Sequence, residues 1–243
     1  MNNQIFLLAS EPRTGSNYFL SHLQDETVPI ESIRQEIFNS GSINNPSRNK
    51  KYDIIREKLS HLKTAKDVSN YIDEAFQIIG YYTDKKTIIK CHIHDLSKPI
   101  QNWVIENEVP ILRLTRKSYI EQYYSRLVAM KYNKWKNKTG ETNFEESVDI
   151  EDFESWLQHS INYSNSFNET FKDHKIHYFQ YEDITDSKNF WNDIYDFLDL
   201  DFSEIPTPIN KTKKQRTKPI QNLITNYEKV CEILIKKDLQ NRV

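Results

Sequence analysis

Two short stretches of this chain combine residue types that handle anions. The first is Pro12-Arg13-Thr14-Gly15-Ser16-Asn17. It follows the apolar run Ile5-Phe6-Leu7-Leu8-Ala9 and leads into Tyr18-Phe19-Leu20. Arg13 supplies a fixed positive charge, Thr14, Ser16 and Asn17 supply side-chain hydrogen bonds, and Gly15 lets backbone approach a ligand closely. Only four glycines occur in the chain, so one placed here is informative. Strand, tight loop and helix start in succession expose unpaired backbone N–H groups, which readily hold an oxyanion. The loop is not a Walker A motif, because it lacks Gly-Lys-Ser/Thr and the four-residue gap between glycines. ATP with magnesium is therefore not the obvious ligand. The competing reading is an ordinary strand-to-helix turn in which Ser16 caps the helix.

The second stretch is Leu112-Arg113-Leu114-Thr115-Arg116-Lys117-Ser118, again apolar and then basic, followed by a helical pattern that carries Ser125. Ser125 lies eight or nine residues beyond the basic pair. About two and a half helical turns separate them, so its hydroxyl can return to the phosphate the basic residues hold. Alternatively, Arg113, Arg116 and Lys117 are solvated surface charges.

Taken together, the two stretches resemble the sulfotransferases that use 3′-phosphoadenosine 5′-phosphosulfate (PAPS). The likeness is nearest to the bacterial carbohydrate group, which includes the trehalose and lipo-oligosaccharide enzymes. Further segments follow that family's order: Arg34-Gln35-Glu36-Ile37-Phe38-Asn39, Lys90-Cys91-His92, Tyr181-Glu182-Asp183, and Lys214-Gln215-Arg216 with Asn226-Tyr227. The resemblance implies that Arg13, Thr14, Gly15, Ser16 and Asn17 hold the 5′-phosphosulfate. It implies that Arg116 or Lys117, with Ser125, holds the 3′-phosphate, Arg116 being favoured. It places Lys214 and Arg216 near the nucleotide. The glycine-rich tail of the cytosolic animal enzymes is absent, and Lys117 replaces a frequent second arginine.

Sulfuryl transfer requires donor and acceptor in line and charge stabilisation on the leaving oxygen. Arg13 is the expected electrostatic group. Glu36 and His92 both align with general bases of the family, Glu36 ranking first; a buried carboxyl can be raised toward neutrality, and an imidazole starts near it. A structural ion pair for Glu36 and a hydrogen-bonded loop histidine for His92 are the plainer readings. His92, His94 and Asp95 lack a well-spaced further ligand, so no metal is expected. The acceptor implied is a hydroxyl of a carbohydrate, glycolipid or small metabolite. Tyr52, Trp103, Trp135 and Trp156 can stack on sugar rings or fill the core. The rival activities are a P-loop kinase of a small metabolite and a nucleotide- or glycan-binding module without catalysis.

The elements that must position these residues alternate. Strands are expected at residues 5–9, 30–34, 87–91, 111–114 and 176–179. Helices are expected at 16–24, 52–62, 65–79, 119–135, 149–171, 190–198 and 219–236, with Asp67 capping one and Pro219 starting another. This alternation predicts an α/β fold: a P-loop-like three-layer sandwich whose central, mainly parallel sheet of about five strands is flanked by helices. Ligands then gather beyond the C-terminal strand ends. The 243 residues suit a single domain.

Composition narrows the class. Charged residues at 28% and apolar residues at 37% mark a globular chain, and a net charge of −2 excludes generalised binding to nucleic acid or anionic lipid. The basic run at residues 211–218 is read as a solvated loop or a flap over the nucleotide rather than an RNA site. No apolar stretch is long enough to span a bilayer, and the first residues lack a signal-peptide pattern. Two distant cysteines, Cys91 and Cys231, point to a reducing cytoplasm. Oligomeric state stays open, a homodimer included.

Overall fold

The computed structural model describes residues 5–23, 30–33, 37–39, 57–79, 86–133, 143–184, 188–201 and 218–242. Five strands form one sheet: β1 (Ile5–Ser10), β2 (Ile30–Ile33), β3 (Lys86–His92), β4 (Ile111–Thr115) and β5 (Ile176–Gln180). Their order is β2-β3-β1-β4-β5, and every pairing is parallel. The described α-helices are α1 (Ser16–His22), α2 (Ala65–Ile79), α3 (Lys98–Glu106), α4 (Tyr119–Tyr132), α5 (Ile150–Thr170), α6 (Lys188–Phe197) and α7 (Tyr227–Lys236).

The sheet is covered on both faces, which is why its inner strands read as nearly unbroken apolar runs rather than alternating ones. Leu7, Ala9, Ile89, Cys91 and Ile111 pack toward α2, α3 and the C-terminal end of α5. Phe6, Leu8, Ile88, Leu112 and Leu114 face α1 and α6, where Phe19, Trp191 and Ile194 are fully or almost fully buried. A further cluster joins α4, the first half of α5 and the C-terminal segment through Tyr123, Phe153, Leu157 and Leu234. Tyr119, Tyr123 and Tyr124 are thus core residues. Among the described residues no helix is long and apolar enough to cross a membrane.

Several expectations change. Residues 219–236 do not form one helix. A 3-10 turn at Ile220–Asn222 ends where Ile224 pairs with Glu146, and α7 starts only at Tyr227. The helix α3 was not expected; Ser97 precedes it and Pro99 sits in its first turn. Of the helix expected at 52–62, residues 52–56, Tyr52 among them, lie outside the described residues; Glu57 is helical, and Lys58–His61 form a 3-10 turn at its end. Asp67 does cap α2: its carboxylate accepts from the backbone N–H of Lys63 and Thr64 at 3.0 and 2.9 Å, while Thr64 Oγ1 accepts from Asp67 N.

The strand order fixes where a ligand can lie. β1 is central, with β3 on one side and β4 on the other. The loops leaving β1 and β4 therefore open side by side at the C-terminal edge of the sheet, where the order of strands switches direction.

Candidate active site

The loop after β1 is held in an unusual backbone shape. Arg13 has φ 67° and Gly15 has φ 89°, with Thr14 between them at negative φ. Left-handed residues alternating with ordinary ones build a concave backbone of the kind that binds anions. Arg13 adopts this conformation without the freedom of glycine, at a cost on the order of 1–2 kcal/mol, so the surroundings must enforce it. Gly15 occupies the N-cap position of α1, and no side chain caps the helix there. Ser16 is the first helical residue and buried, not the cap.

Three side chains hold successive carbonyls of this loop. Thr14 Oγ1 donates to the Glu11 carbonyl at 2.8 Å, Gln122 Nε2 to that of Pro12 at 2.9 Å, and Arg116 Nη1 to that of Arg13 at 3.2 Å. Arg13 Nε donates to Ser125 Oγ at 3.0 Å. The loop after β1 and the helix after β4, 112 residues apart between Arg13 and Ser125, are thereby in direct contact.

Arg116 has several neighbours besides the Arg13 carbonyl. Its Nη2 donates to Glu121 at 2.7 Å, its Nε lies 3.8 Å from Glu182, and its guanidinium stands 5.0 Å from the centre of the Tyr181 ring. Glu182 also accepts from the backbone N–H of Lys117 at 2.9 Å. The Lys117 side chain is exposed. Tyr181 lies over Gly15 and meets the Tyr18 ring edge-on at 5.6 Å. The short turn after β5 thus closes over the loop after β1.

Burial pushes the Arg13 pKa down, and the nearby charge of Arg116 adds to the effect. A pocket that disfavours its own cation gains free energy when an anion enters. On the other side of the loop, Lys90 is buried in β3 and donates to Asn17 Oδ1 at 3.2 Å. His92 ends β3, buried, with its ring stacked on His94 at 5.4 Å. Glu36, Lys214 and Arg216 lie outside the described residues. Among the described residues no three of His, Cys, Asp and Glu stand together as a metal site would require.

Arg113 is not a surface charge. It is 1% exposed, and Nη2 reaches Glu11 at 2.8 Å and Ser164 at 3.3 Å, with the Phe167 ring 5.0 Å from the guanidinium. Sequence reasoning assigned no role to Glu11 or Gln122. The signal for the first was a charged residue inside the apolar run of β4, which needs a buried partner. For the second it was Gln122 lying three residues before Ser125 on one helix face. Trp103 is buried against Phe38 and is core, Trp156 is half-buried and packs on Tyr123 and Phe153 at the edge of the cluster, and Trp135 lies outside the described residues.

No family model matches the chain, and no curated protein sequence does. Among solved structures, the sulfotransferase domain from the curacin biosynthetic pathway resembles it with a TM-score of 0.50 and 14% identity. The match covers 92% of this chain and 82% of that one. The chain therefore has the α/β fold of a sulfotransferase domain, with an all-parallel five-stranded sheet.

Proposed function

We propose that this protein is a sulfotransferase that moves the sulfuryl group of PAPS to a hydroxyl of a carbohydrate, glycolipid or small metabolite. One observation carries the reading: the contact between Arg13 Nε and Ser125 Oγ at 3.0 Å joins two phosphate-handling stretches, in a fold shared with a sulfotransferase domain.

In this reading the 5′-phosphosulfate lies along residues 12–17. Arg13 and the outward backbone N–H groups stabilise charge on the leaving phosphate oxygen as the sulfur–oxygen bond breaks. Thr14 fixes the loop through the Glu11 carbonyl, while Ser16 and Asn17, the latter held by Lys90, orient the phosphate. The acceptor oxygen attacks sulfur in line, and its proton passes to Glu36 or His92. The 3′-phosphate is held by Ser125 with Arg116 or Lys117. Arg116 must then exchange Glu121 for phosphate, whereas Lys117 brings a side chain from solvent. Lys214 and Arg216 approach the nucleotide from the C-terminal segment. No metal takes part.

Calorimetric titration with 3′-phosphoadenosine 5′-phosphate in the absence of metal, with ATP and 5′-AMP as controls, tests the donor site. Binding should need the 3′-phosphate. It should weaken about 10- to 100-fold in Arg13→Ala and in Ser125→Ala, the factor expected for losing one charge-assisted hydrogen bond. The Arg116→Ala and Lys117→Ala variants identify the 3′-phosphate ligand by which loses the preference over 5′-AMP. Magnesium-dependent preference for ATP would replace the sulfotransferase by a kinase. Once an acceptor is in hand, Glu36→Gln and His92→Ala should separate turnover from nucleotide binding, and the variant that loses turnover alone marks the base.

A further inference from the structure

We infer that Glu11, Arg113 and Gln122 form a buried clamp that sets the peptide planes of the loop after β1, with Gln122 as its positioning residue. The inference rests on the proposed donor site. It assigns a role to residues that touch neither nucleotide nor acceptor.

The geometry begins with the carbonyls. All peptide bonds of the described residues are trans, so the C=O of one residue and the N–H of the next point in opposite directions. Gln122 captures the Pro12 carbonyl, which turns the N–H of Arg13 the other way. Arg116 captures the Arg13 carbonyl and does the same for the N–H of Thr14. The two amides are thus presented on the side away from Gln122 and Arg116. The captured carbonyls on either side of Arg13 hold its peptide planes in place at φ 67°.

Gln122 can serve only if its own amide is held in place. It is 1% exposed, and the nitrogen that reaches Pro12 also reaches Glu11 Oε2 at 3.3 Å. Glu11 is anchored in turn by Arg113 at 2.8 Å, and both side chains are buried, at 9% and 1% exposure. Arg113 belongs to β4, packs on Phe167 and meets Ser164, both from α5. The clamp therefore ties the loop after β1 to β4, α4 and α5 together. Ser125, one turn beyond Gln122 on α4, is carried by the same helix to its bond with Arg13. Loop shape and the Arg13–Ser125 contact are set by one rigid group.

The test is the variant Gln122→Met, which keeps the side chain's length and removes its donors, beside Glu11→Gln, which keeps the shape and removes the charge. Val230→Ala, a cavity in the distant cluster around α7, serves as a control for general destabilisation. Hydrogen exchange is followed at the amides of residues 13–18 and, as an internal standard, in β1 and β3. Affinity for 3′-phosphoadenosine 5′-phosphate is measured on the same proteins. Gln122→Met should accelerate exchange in the loop selectively and weaken the nucleotide at least about tenfold, as small misplacements of binding groups do. Glu11→Gln should do both to a smaller extent, and Val230→Ala neither. Folded variants at Gln122 and Glu11 with wild-type loop exchange and wild-type affinity would overturn the clamp. If Gln122→Met does not fold, Glu11→Gln decides. Failure of the wild-type protein to bind the nucleotide would instead remove the sulfotransferase reading, and loop exchange would still decide the clamp.

Discussion

Gly15 shows how much of this site depends on a single hydrogen atom where other residues carry a Cβ. Its φ of 89° is one that L side chains rarely adopt. A Cβ there would also lie 2.7 Å from Tyr181 Cε2 and closer still to Cδ2. The two penalties are separate in origin. The left-handed backbone costs an alanine on the order of 1–2 kcal/mol, and the overpacked contact about 1–3 kcal/mol more. Gly15→Ala should therefore lose roughly 2–5 kcal/mol of stability, read as a lower midpoint in urea at unchanged m-value. Tyr181 also packs on Tyr18 and Arg116, so the contact part is read from a double-mutant cycle: in a Tyr181→Ala background, Gly15→Ala should cost only the backbone part. An equal cost of Gly15→Ala in both backgrounds would place the whole penalty in the backbone. The sequence made Gly15 conspicuous through its scarcity and its position after an apolar run. It could not show that Tyr181, 166 residues away, covers it, because nothing local in either segment encodes that packing.

At the scale of elements, the strands were readable because a parallel sheet covered on both faces leaves short continuous apolar runs. All five appear within a residue or two of their expected limits, and residues 65–79 are helical as expected. Two segments escaped. The helix α3 spans nine residues and buries only Ile100, Trp103 and Val104, too short a pattern to stand out. The C-terminal region looked like one amphipathic helix, yet tertiary contacts break it. Glu146 N donates to Leu223 O at 2.8 Å and Thr225 N to Glu146 O at 2.9 Å, a strand-like exchange that a continuous helix would forbid. Asn226 completes the break: its side chain accepts from Val148 N at 2.9 Å and donates to Val148 O at 2.8 Å. Val148 is 3% exposed, so water does not readily replace these bonds. Asn226→Ala should cost about 2–6 kcal/mol, one unsatisfied donor and one unsatisfied acceptor at about 1–3 kcal/mol each. Asn226→Asp should fall between, since it still accepts from Val148 N but presents a second acceptor to the carbonyl. Equal stability of all three in urea unfolding would show that Asn226 does not hold the break.

For the molecule as a whole, the sequence disclosed the residue types of the site and the order of the elements. It did not disclose their wiring. Ser125 is paired by the sequence with Arg116 or Lys117 rather than with Arg13, which it meets in the structure, and Arg113 inside an apolar run signals a buried partner without telling that it is Glu11, 102 residues away. Ionisable groups also make the fold respond to acid in two stages. His177 lies in β5 beside Phe179 and Phe197, at 6.1 and 5.4 Å between ring centres. Burial pushes its pKa below the ordinary 6.5, with Asp193 pulling it partly back. The unfolded chain then binds this proton more readily than the folded one, so stability falls as the pH drops below 6.5. The carboxylates behave differently. Asp152 is held below its ordinary 3.8 by the Tyr123 hydroxyl and by Arg126. For Glu146, burial alone would raise the pKa, but hydrogen bonds from Lys131 and Tyr132 outweigh it and hold it below 4.5. Their contribution is present above the unfolded values and disappears as the pH falls through the folded ones. Urea midpoints measured from about pH 8 to about pH 3 should therefore decline first below 6.5 and again below 4.5. In His177→Gln the first decline should flatten while the second remains. A variant that keeps the first decline unchanged would assign it to another group and leave His177 without a part in the acid response.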